Sequence, residues 1–64
     1  MTRSEERLAD AIAQEAIRLL SQPNSLGLPE DVRLDMAITM AYERFSLMGS
    51  DELDAAVMAR VGAR

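Results

Sequence analysis

The chain is predicted to be all-α: a small three-helix bundle completed by homo-oligomerisation. Three observations lead to that expectation. Apolar residues recur at helical spacing in three segments, and two clusters of proline, glycine and small polar residues separate those segments. In addition, the 64 residues include no cysteine and no histidine. A domain of this size buries only about 60% of the surface its unfolded chain exposes, and such chains usually recruit a disulfide, a metal or a second subunit. Here a disulfide is impossible and a structural zinc site has almost no ligands to draw on. What remains is very good helix packing, self-association or folding onto a partner.

The first helix is expected from about Arg3 to Ser21. Thr2 followed by Glu5 fits a capping box, and Glu5 and Glu6 suit the positive end of the helix dipole. Leu8, Ala9, Ile12, Ala13, Ala16, Ile17, Leu19 and Leu20 fill one side of the helical wheel, with Arg7, Asp10, Gln14 and Arg18 on the other. The stretch SQPNSLGLPED, residues 21–31, then breaks the pattern. Pro29 suits a first helical position, with Glu30 and Asp31 in the turn behind it. Leu26 and Leu28 are expected to plug the end of the core, which predicts an ordered loop.

The second helix, about Pro29 to Leu47, carries two apolar stripes on nearly opposite faces. One holds Leu34, Ala37, Ile38, Ala41 and Phe45, with Tyr42 at its edge; the other holds Val32, Met36, Met40 and Leu47. Arg33 and Arg44 separate the stripes on one side, and Asp35, Thr39 and Ser46 on the other. A helix that is apolar on both faces is covered on both. Two neighbouring helices can cover one face, so the other calls for a second subunit or a partner. Val32, Met36, Met40 and Leu47 are therefore the candidate interface, with Arg33 and Arg44 at its rim setting register. Methionine also fills ordinary cores, but a chain this short has difficulty building a core around a whole helix.

The third helix is expected from about residue 51 to residue 61. Gly49 is expected to end the second helix in the left-handed conformation. Ser50 would cap the third, and Asp51 and Glu52 favour its positive end. Leu53, Ala56, Val57 and Val61 form a narrow inward stripe. The crowd of carboxylates in "SDELD" is thus explained as a helix start. The same five residues, Ser50 to Asp54, also resemble the Ser-Gln-Glu-Leu-Asp motif of the small sporulation-regulator aspartyl-phosphate phosphatases, with Asp51 in place of Gln. That resemblance implies a short helical hairpin that meets a response regulator's phosphorylation site, with Asp54 as the functional acid. Gly49 directly before the motif and a third helix depart from that family's pattern, and the chain is not assigned to it.

Composition narrows the function. A net charge of −4 and a pI near 4.5 argue against gripping a polyanion. A helix-turn-helix reader of DNA is the main alternative, because the second and third helices meet at a short glycine turn. Its recognition helix, however, would offer Asp51, Glu52 and Asp54 to phosphates. A nucleic-acid mimic would need carboxylates regularly spaced on one face, and these are scattered over three helices. Without His, Cys or Lys the usual general bases and activated nucleophiles are missing, so no enzyme, cofactor or metal site is expected. The hydrophobic share of 48% exceeds that of a disordered tail, and no apolar run approaches the ~18 residues of a membrane span. The polar, acidic N-terminus lacks a signal peptide's apolar core, which predicts a cytoplasmic protein. All seven basic residues are arginine, beside ten alanines. That usage points to a GC-rich genome, bacterial or viral. The expected function is a non-enzymatic interaction module: a dimeric regulator, inhibitor or assembly subunit that binds itself and another protein.

Overall fold

The computed structural model describes residues 2–46 and 49–63. In chain order it contains α1 (Arg3–Leu20), α2 (Glu30–Arg44) and α3 (Asp51–Gly62), and no strand among those residues. The all-helical expectation is met.

The start of α1 is a complete capping box. The Thr2 hydroxyl accepts from the Glu5 backbone N–H at 3.2 Å, and the Glu5 carboxylate accepts from the Thr2 N–H at 3.1 Å. These bonds from Thr2 hold the Glu5 carboxyl below its ordinary range. The other end of α1 is closed from a distance. The Arg33 guanidinium, on α2, donates to the carbonyls of Leu20 and Gln22, each at 3.0 Å. The last carbonyls of a helix have no partner within it, and a fixed cation there also complements the dipole.

The connection between α1 and α2 is held by hydrogen bonds and not by the expected leucine plug. Leu26 is 78% exposed, and only Leu28 is partly buried. The Asn24 carboxamide instead clamps the loop. It donates to the Leu28 carbonyl and accepts from the Leu28 N–H, both at 2.9 Å. Gly27 takes a φ of +66° inside this clamp, and its N–H donates to the Asn24 carbonyl. Pro29 is the N-cap of α2 rather than its first helical residue, and its carbonyl accepts the first helical bond, from Arg33 N–H at 2.9 Å.

Helix α2 stops at Arg44, earlier than expected. Phe45 caps it and Ser46, with φ +54°, takes the left-handed conformation assigned from sequence to Gly49. The Ser46 N–H closes onto the Glu43 carbonyl at 3.0 Å. Phe45, placed on the inward stripe, is the C-cap residue and is 39% exposed.

The core is organised around α1. Its Ala9, Ile12, Ala13 and Ala16 are buried against Ala37 and Ala41 of α2 and against Leu53, Val57 and Val61 of α3. Five of these nine residues are alanine, so the helix axes approach closely where small side chains meet. Both α2 and α3 pack on α1, but they scarcely touch each other. An ion pair from Arg60 of α3 to Asp10 of α1 adds a polar clasp, and Arg60 also donates to the Ala56 carbonyl. The consequence for function is that two helices are held by a third, with an open space between them.

Candidate functional site

Helix α3 begins as its sequence suggests. The Ser50 hydroxyl accepts from the Leu53 N–H at 3.2 Å, and Asp51, Glu52 and Asp54 lie in the first turn. Asp54, the acid singled out by the phosphatase resemblance, has an internal partner. Its Oδ1 accepts a hydrogen bond from the Tyr42 hydroxyl, beside the connection between α2 and α3. Burial of the phenol, together with the neighbouring Asp54 carboxylate, pushes the Tyr42 pKa above the ordinary tyrosine range. Gly49 lies against this pair. A Cβ built there would stand 2.9 Å from Asp54 Oδ1 and 3.1 Å from Tyr42 Cζ. The glycine thus makes room for a contact between helices and does not end α2.

The candidate interface on α2 divides into parts. Val32, Met36 and Met40 follow one another at four-residue spacing and are 38%, 46% and 49% exposed. Leu26 joins Met36 and Met40 in a shallow depression beside the α1–α2 loop. Leu47 lies outside the described residues. Arg33 is committed to its own chain through the end of α1, with Glu30 3.8 Å away. Arg44 stays largely in solvent, and its Nε is 3.8 Å from a Glu15 carboxylate oxygen. Glu15 is also bound by Arg18, whose hydrogen bonds hold its carboxyl below the usual range.

A second surface was not anticipated. The space between α2 and α3 is a groove of about 690 Å³ lined by Leu34, Ile38, Tyr42 and Met58, with Asp31, Asp35, Glu43 and Asp54 along it. The α2 half joins the inward stripe residues Leu34 and Ile38 to the separating residues Asp35 and Thr39, all four placed on the helix from sequence. The α3 wall could not be read, because it depends on how far α3 leans from α2. Carboxylates that look scattered in sequence are therefore partly gathered here. Among the described residues no group of acidic side chains is arranged to hold a metal ion, and no helix is long and apolar enough to cross a membrane. No family model, curated protein or solved structure matches the chain.

Proposed function

We propose that the chain is a non-enzymatic protein–protein interaction module that self-associates through α2, a small cytoplasmic regulator, inhibitor or assembly subunit. The observation that carries the proposal is the row Val32, Met36 and Met40, half exposed on one helix face and extended by Leu26. Fully burying such a side chain contributes about 1.5–3 kcal/mol, so covering the exposed half of each contributes about 1 kcal/mol. Leu26, more exposed still, adds to the favourable side. An antiparallel pair of α2 helices would set Met36 of one copy against Met40 of the other, with Arg44 at the rim.

A helix-turn-helix reading would need a basic face on α3, whose first turn carries three carboxylates. The deciding experiment is sedimentation equilibrium over the micromolar range. The proposal expects a mass twice the 7.1 kDa of one chain, with Met40→Glu returning it to monomer. A monomer mass for the unaltered chain at every concentration would refute it.

A further inference from the structure

The groove between α2 and α3 is distinct from the methionine row and faces a different direction around α2. Its floor is apolar: Leu34, Ile38 and Tyr42 recur at four-residue spacing, and Met58 faces them from α3. The three α2 residues pack against the core along one edge and line the groove along the other. The walls are two helices, and from Asp31 to Glu43 the α2 wall runs about 18 Å, or three helical turns.

Charge identifies the occupant. Four carboxylates line the groove, those of Asp31, Asp35, Glu43 and Asp54, and among the described residues no arginine does. Asp54 is held by Tyr42, whereas Asp31, Asp35 and Glu43 form no ion pair among the described residues. Parallel rows of apolar and acidic side chains call for a ligand with the complementary rows. A second copy of this chain does not supply them, since α1, α2 and α3 each carry more acidic than basic residues. We infer that the groove receives an amphipathic helix of another protein, with leucine-like residues on one face and arginine or lysine on its flanks. It would seat against both α2 and α3 and extend the sparse helix–helix contact that these two make with each other. Facing potentials of opposite sign favour this partner and oppose an acidic one.

The test uses synthetic helical peptides with leucine on one face and lysine on both flanks, labelled for fluorescence anisotropy. A glutamate-flanked version and a version with its helix broken by proline serve as controls. The inference expects saturable single-site binding of the lysine peptide alone. Asp35→Arg and Thr39→Arg, both at exposed positions of the groove, should each weaken it about tenfold or more. Met40→Glu should leave it unchanged, which separates this surface from the self-association face. Gln14→Arg combined with Ala59→Arg alters net charge as much as Asp35→Arg does, away from the groove, and should have little effect. Binding that falls equally in that double variant, or that persists in Asp35→Arg and Thr39→Arg, would overturn the inference. So would an absence of saturable binding.

Discussion

The Tyr42–Asp54 contact makes a prediction that the composition renders unusually clean. The chain has one tyrosine and no lysine, cysteine or histidine, and its basic side chains are all arginine. Arginine stays charged to the end of the working range and the α-amino group titrates near 8. Between about pH 9 and 12 the only side chain that changes charge is therefore Tyr42. Its folded pKa is raised, by burial first and by Asp54 second. The protonated phenol is thus favoured in the fold more than in the unfolded chain. Below the ordinary tyrosine value of 10.0 both states keep the proton and the contribution is fully present. Above it the unfolded chain releases its proton first, so stability falls as pH rises. A group that ionises only when unfolded removes about 1.4 kcal/mol per pH unit. The phenol is only partly buried, and solvent screening reduces this to about 0.5–1 kcal/mol per unit. Urea unfolding followed by circular dichroism at pH 9 to 11.5 should show the decline in the unaltered chain. Tyr42→Phe should be flat over the same range and less stable at pH 9 by about 1 kcal/mol. Absorbance of the phenolate, which reports this single residue, should titrate above pH 10 in the folded protein and lower in Asp54→Asn. If Tyr42→Phe keeps the alkaline decline, the assignment of that decline to this contact is wrong.

Other outcomes follow from single contacts. Ser50→Ala should cost about 1 kcal/mol of unfolding free energy by removing the α3 cap, while Ser50→Asp should keep most of it. Gly49→Ala forces a Cβ into the Tyr42–Asp54 pair; it should destabilise by about 1–2 kcal/mol, and much less when Tyr42 is already Phe. Arg33→Ala frees the carbonyls of Leu20 and Gln22 and should cost about 1–2 kcal/mol. If Arg33 acted only at a rim between subunits, stability extrapolated to the monomer would not change. Random duplex DNA should show no mobility shift at about 150 mM salt, where even true DNA binders hold non-specific sites at only about 10⁻⁴ to 10⁻⁶ M. Enrichment of one sequence from a genomic fragment library, abolished by Arg44→Ala, would reverse that conclusion.

Much of the architecture was determined by local rules. The Thr2–Glu5 capping box and the Ser50 cap involve residues three apart, so short-range hydrogen bonding decides them whatever the rest of the chain does. The inward positions of α1 and α3 follow from apolar periodicity, and the exposure of Val32, Met36 and Met40 from the presence of two stripes on a helix with too few neighbours. What the tertiary structure alone decided lies where distant segments meet. Arg33 reads as a rim cation in sequence, and its contact with the carbonyls of Leu20 and Gln22 at the end of α1 is added by the tertiary structure. Gly49 reads as a helix terminator, yet α2 ends earlier and the glycine is needed for the space beside Tyr42 and Asp54. Leu26 reads as a core plug, yet the Asn24 clamp turns it outward. The groove itself follows from α2 and α3 both packing on α1 while making few contacts with each other. Periodicity along a single helix carries no information about how two helices are set against a third.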